Sequence, residues 1–169
     1  MSLSTSEYHP YYGNYISLSA DGPLVEQLET SLVKFQDFVS GIPENKMNYS
    51  YDAGKWTVAE LLMHLIDAER VFQHRAFRFS RNDKTPLPGF EQDDYVVSSR
   101  ANDRTMLDHR TEFTNVRNAT IDLFNGFSEK EFLRFGSANG LRVDVNSIGY
   151  ITIGHLYHHM EILKSRYLK

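Results

Sequence analysis

Two histidines four residues apart, His155 and His159 in the run Ile-Gly-His-Leu-Tyr-His-His-Met-Glu-Ile-Leu, are the residues of this chain that most directly offer chemistry. Residues at that spacing share one face of a helix, one turn above the other. The stripe through them runs Ile148, Ile151, His155, His159, Ile162, so the neighbours mark both histidines as core-facing. A third histidine, His64, holds the matching inward place in the stripe Leu61, His64, Ala68, Phe72 of a separate helix. Three imidazoles turned into one helical core predict a facial three-nitrogen site for a divalent metal, with a coordination position left for water or substrate. Neutral imidazoles suit Zn²⁺ or Ni²⁺ first, and Fe²⁺ and Mn²⁺ are compatible. The competing reading is three unrelated buried histidines. His158 lies about 60° around the axis from His155, so His155–His158 is a second geometrically allowed pair. His159 is preferred because it continues the inward row, whereas His158 diverges toward the flank.

Asp67, just under one turn after His64, borders the same face. It either orients a ligand imidazole or pairs with Arg70 at i,i+3, and the pair is the commoner arrangement on a helix. Arg70, Arg75 and Arg78 form a partial row. It is read as a solvated charged face, with anchoring of an anionic substrate, Arg70 foremost, as the functional alternative. Glu91-Gln-Asp-Asp94 reads as an exposed acidic turn. His9, His74 and His109 have no matching partners and receive no role. The absence of cysteine excludes disulfides, thiolate metal sites and a cysteine nucleophile. No serine stands in an identifiable nucleophile turn, so a Ser-His-Asp triad is not expected.

Helices must position these groups. Leu24, Leu28, Leu32 and Phe35 recur at helical spacing from Pro23 to Val39, with Gly41 as the stop. Thr57-Val-Ala-Glu60 reads as a capping box that opens the His64 helix, which runs to about Arg81. Pro86, Pro88 and Gly89 predict a long crossover loop over 85–98. A third helix is expected over 103–125, with Gly126 as its stop, and Ser128-Glu-Lys-Glu131 is a second capping box opening a helix of a turn or two. Asn139-Gly140 predicts a small β-hairpin, and the last helix is expected to start near Asn146 or Ser147. Residues 1–20, with Tyr8, Tyr11, Tyr12 and Tyr15, read as an irregular arm packed by its rings. The expectation is one all-α domain over 1–169, a four-helix bundle.

At 169 residues the chain is long enough for a full core. A net charge of −4 with both signs interspersed argues against nucleic acid, which needs a concentrated positive face. No apolar run is long enough to span a bilayer. The first ten residues lack a basic start and an apolar stretch, so no secretory signal is expected and a cytoplasmic location is the working expectation.

Taken together, Gly-Lys-Trp-Thr-Val-Ala-Glu-Leu-Leu-Met-His-Leu-Ile-Asp-Ala-Glu-Arg (54–70), Pro-Leu-Pro-Gly-Phe-Glu-Gln-Asp-Asp-Tyr-Val (86–96) and Gly-His-Leu-Tyr-His-His (154–159) resemble the DinB-like superfamily, in particular its YfiT-like branch of metal-dependent hydrolases. The resemblance covers most of the chain from Tyr11 to Leu168. It implies an up-down-down-up four-helix bundle with a long crossover, a homodimer, and a divalent metal on His64, His155 and His159. Some members of that family transfer low-molecular-weight thiols to electrophiles. Two functions therefore stand as expectations: an enzyme activating a small thiol or water on a His₃ metal, or a non-catalytic metal- or ligand-binding stress-response or dimerisation module.

Overall fold

The histidine stripes and the caps around them determine most of the architecture. The computed structural model describes residues 8–20 and 22–169, so residues 1–7 of the Tyr-rich arm lie outside the described residues. The remainder of the arm is more regular than expected: a 3₁₀ turn at Pro10–Tyr12 leads into a short helix α1 (Gly13–Ile16). Helix α2 spans Leu24–Ser40, α3 Val58–Ser80, α4 Gln92–Ser98, α5 Met106–Asn125, α6 Glu129–Phe132 and α7 Val145–Ile162, the last extended by a π turn at Leu163–Tyr167. Strands β1 (Phe135–Ala138) and β2 (Leu141–Asp144) pair antiparallel before α7. The four-helix bundle with a crossover and a hairpin is therefore what the chain forms. Both α2 and α3 pack on α5 and on α7, which places α2 and α3 at opposite corners.

Both predicted capping boxes form. Thr57 Oγ1 accepts from Glu60 N at 3.1 Å while a Glu60 carboxylate oxygen accepts from Thr57 N at 2.8 Å, satisfying two donors that the helix start would leave open. Ser128 and Glu131 repeat the arrangement. A third box, Thr105 with Asp108, starts α5 at Met106 rather than at Asp103, which belongs to a separate 3₁₀ turn.

The crossover is not a continuous loop. Residues 92–98 form α4, because the breakers end at Gly89, Asp93 and Asp94 complement the positive end of the helix, and Val96 is buried beneath it. The acidic segment expected as a turn is therefore the start of a helix. At the hairpin tip Asn139 and Gly140 both have positive φ, 53° and 75°, as a type I′ turn requires. Asp144 ends β2 and caps α7, its carboxylate accepting from Ser147 N at 2.6 Å, so α7 begins at Val145 with no linker.

The hairpin also holds two neighbouring segments by their backbones. Leu87 N donates to Ser137 O and Asn139 N to Leu87 O, both at 2.9 Å, and His9 N donates to Arg142 O at 3.2 Å. The arm and the crossover are both pinned to the hairpin.

The apolar core falls into two clusters. Leu32, Leu61, Leu65, Phe113, Val116, Leu156 and Leu163 belong to one; Leu28, Ala76, Phe79, Phe124, Ile148, Ile151 and Ile153 to the other. Where each long helix passes between them it carries polar residues: Ser31 on α2, Glu69 on α3, Arg117 and Thr120 on α5, His155 on α7, all buried. Arg117 donates from Nε and Nη2 to the two carboxylate oxygens of Glu69 at 2.6 and 2.7 Å, and from Nη1 to Ser31 Oγ. Thr120 Oγ1 donates to Glu69 Oε1 at 2.9 Å. This polar layer crosses the bundle through His155, and His64 and His159 adjoin it on the side of the first cluster. Among the described residues no helix is long and apolar enough to cross a membrane.

Candidate metal centre

Helix α3 contributes His64 and helix α7 contributes His155 and His159. The three rings converge, with centroids 5.0 Å apart for His64–His155, 4.8 Å for His64–His159 and 4.5 Å for His155–His159. Each offers one nitrogen to a group in which all lie within 4.8 Å of one another. His64 and His155 are buried and His159 is half-buried. His64 Nε2 and His155 Nε2 are 3.1 Å apart. Two neutral imidazoles meeting nitrogen to nitrogen either share one proton or turn two lone pairs toward one cation. His159 Nδ1 is buried with no hydrogen-bond partner among the described residues, which is costly for a ring with no electrostatic task.

Electrostatics keep the lone pairs available. Burial lowers the His64 pKa to about 4, opposed by the Asp93 carboxylate. Burial, with His64 and His158 nearby, lowers His159 to about 3. His155 is held well below the ordinary imidazole value by burial, by the other histidines and by Arg117. All three are neutral at pH 7, the form that ligates. A donor set of three neutral imidazoles with one orphaned buried nitrogen fits a divalent metal.

Aromatic rings close the sides. Trp56 lies 4.8 Å from His64, and Tyr15 and Phe72 lie 5.4 and 5.5 Å from His155. A cavity of about 280 Å³ reaches His64 and His155 past Tyr15, Phe72 and Arg75. A second, of about 300 Å³, reaches His159 past Tyr51, Trp56 and Tyr167. Asp93 of α4 lines both.

The other sequence candidates are placed elsewhere. Asp67 pairs with Arg70 at 3.4 Å rather than with an imidazole. Arg70 also binds Glu112 at 2.6 Å and lines a depression with Gln73, His74 and Phe77, so the structure does not bring it to the histidines. His158 turns its ring to Tyr15 at 5.5 Å, on the flank. His109, given no role from sequence, is fully buried with Nε2 3.1 Å from the Ala101 carbonyl. Sequence reasoning missed Tyr15 and Asp93, whose neighbours carry no helical stripe, and it put Arg70 ahead of Arg75 in the arginine row. For Arg75 there was a signal: it is the next step of the stripe 64, 68, 72.

Gly154 explains how the arm reaches the site. A Cβ there would lie 1.8 Å from the Tyr15 carbonyl oxygen, so α7 and the arm backbone touch beside His155. An exposed helical Gly→Ala change gains up to about 1 kcal/mol, whereas forcing a methyl into a packed contact costs about 1–3 kcal/mol. Gly154→Ala is therefore expected to lower the urea midpoint; a raised midpoint would show the contact to be loose.

A profile of the DinB superfamily matches residues 27–163. The chain belongs to the DinB superfamily. Two solved structures share its fold. YfiT from Bacillus subtilis, described as a "probable metal-dependent hydrolase with an unusual four-helix bundle topology", superposes with a TM-score of 0.73 at 15% identity, covering 83% of this chain and 84% of YfiT. The mycothiol-dependent maleylpyruvate isomerase superposes with a TM-score of 0.68 at 14% identity over 83% of this chain. This DinB-superfamily chain spans only 60% of the isomerase's length. Comparison with curated protein sequences gives no significant match. At these identities the two likenesses establish the fold.

Proposed function

We propose that this DinB-superfamily protein is an enzyme in which His64, His155 and His159 hold a divalent metal, Zn²⁺ or Ni²⁺ first, to activate a small thiol or water for thiol transfer or hydrolysis. The observation that carries the reading is the convergence of three neutral, desolvated imidazoles from two helices. When bound, such an ion supplies Lewis acidity that brings the deprotonation of water or a thiol into the neutral range. The protein's own groups do the positioning. Trp56, Phe72 and Tyr15 exclude bulk water around the rings. Asp93 presents a hydrogen-bond acceptor at the border of both cavities.

Two cavities meeting at one set of histidines favour transfer over hydrolysis, because two reactants can approach from different sides. The mycothiol dependence of one structural neighbour and the hydrolase description of the other support the two branches of the reading. The test is metal analysis of the purified protein, followed by incubation with a chromogenic aryl halide and a panel of small thiols. A conjugate formed in proportion to bound metal is expected. A hydrolysis product without thiol would select the water branch, and turnover that survives complete chelation would overturn the proposal. A homodimer through α2 and α5 belongs to the same reading; Val33 and Leu107 are the exposed apolar side chains there, and sedimentation showing only a 19.6 kDa species would remove it.

A further inference from the structure

The three arginines of α3 read alike in sequence, and the structure separates them. Arg70 pairs with Asp67 and Glu112, and Arg78 with Asp83, on the outside of the bundle. Arg75 is only 7% exposed, and no carboxylate among the described residues lies within ion-pairing distance of it. Its one hydrogen bond among the described residues runs from Nη2 to the Pro88 carbonyl at 3.2 Å. A guanidinium has five N–H donors in a planar fork, so most of them face no acceptor among the described residues. A desolvated cation without a counter-charge is expensive, and the usual resolution is an anion that completes it. The fork lines the same cavity as His64 and His155.

We propose that Arg75 anchors a carboxylate on the substrate and so aims the rest of that molecule at the histidines. The site commits to a monoanion. Glu91 and Asp93 also line the cavity, both exposed, and they oppose a more highly charged group such as a phosphate. The fork geometry matches two carboxylate oxygens. Tyr11, Tyr12, Tyr15, Phe72 and Phe90 make the walls aromatic, so the body of the ligand is flat and apolar. Cavity volume, about 280 Å³, suits a small molecule and not a peptide. This assignment deepens the proposed function by naming the class of one reactant, an aryl-bearing monocarboxylate.

Phenylacetate is the probe, with phenylacetamide as its uncharged isostere and phenyl phosphate as the dianion. Binding is followed by calorimetry and by the Arg75 Nε–H resonance, in protein stripped of metal and in protein loaded with Zn²⁺. Phenylacetate is expected to shift that resonance and to bind at least about tenfold more tightly than the amide, the scale of a charge-assisted hydrogen bond. Arg75→Gln should erase the preference, and Arg75→Lys should keep part of it. Should neither variant fold, the wild-type resonance and the acid-to-amide ratio still decide. Equal affinity for acid and amide, a preference that survives Arg75→Gln, or tighter binding of phenyl phosphate would each overturn the assignment. The metal-free arm separates this proposal from the one it rests on. Carboxylate binding there, in a protein that takes up no Zn²⁺, sinks the metal enzyme and leaves the Arg75 anchor standing.

Discussion

His155→Ala and His64→Ala are each expected to lose stoichiometric divalent-metal binding while the helical circular dichroism is retained. Each ring supplies one of only three nitrogens in the group, and two imidazoles cannot hold the ion against dialysis as three do. If both variants keep full metal after exhaustive dialysis, the site assignment is wrong. The wild-type site should also show an unusual pH profile. Protons compete for imidazole lone pairs, and with His64 near 4 and His159 near 3 there are few to displace above about pH 5. Zn²⁺ affinity should therefore hold level from pH 8 to about 5, where histidines of ordinary pKa would already lose it.

In the metal-free protein the sign for stability is the opposite of a gain. Unfolded histidines take up protons below 6.5, whereas His64 in the fold does not until about 4. The unfolded state then binds more protons, so stability is constant above pH 6.5 and falls as the pH drops toward 4. Urea midpoints measured at pH 7.5 and pH 5 check it, and equal midpoints would contradict the depressed values.

The second large effect is Arg117→Met. The substitution leaves the Glu69 carboxylate 3% exposed with its bidentate partner gone. Stranding a buried charge in this way costs about 3–5 kcal/mol, a large part of the roughly 5–15 kcal/mol that holds a domain together. The paired change Glu69→Met with Arg117→Met removes both charges and should recover most of the loss, because neither desolvation cost then remains. Urea titration of the wild type and the two variants gives the comparison. A single variant within about 1 kcal/mol of wild type would mean that water reaches Glu69 and that the layer is not dry.

The convergence of His64, His155 and His159 was legible because burial leaves a period in the sequence, and histidines standing in that period are inward by the same rule as their isoleucine neighbours. The same rule, applied further, reaches Arg75 after Phe72 and Arg117 after Phe113, each at a helical step. Charged residues in an inward stripe read as interruptions rather than as members, and their partners are not local: Glu69 lies 48 positions from Arg117. Helix α4 was hidden for a different reason. Its seven residues carry one buried apolar side chain, Val96, and it is held by packing on α3 rather than by its own periodicity. Two bounds shifted for local chemistry alone, Thr105 and Asp144 each supplying a cap that fixes where a helix begins.

The backbone clasp at the hairpin has an evolutionary meaning. The histidines ride on two long helices, but much of the wall facing them comes from the arm, the crossover and the hairpin tip, through Tyr15, Gly89 and Asn139. Those segments are joined by amide-to-carbonyl bonds, which any side chain but proline permits. Side chains there that touch neither an imidazole nor the tight turn at Asn139–Gly140 are thus open to exchange without loosening the joint. A wall joined in this way can change what it admits while the two long helices keep the three imidazoles together.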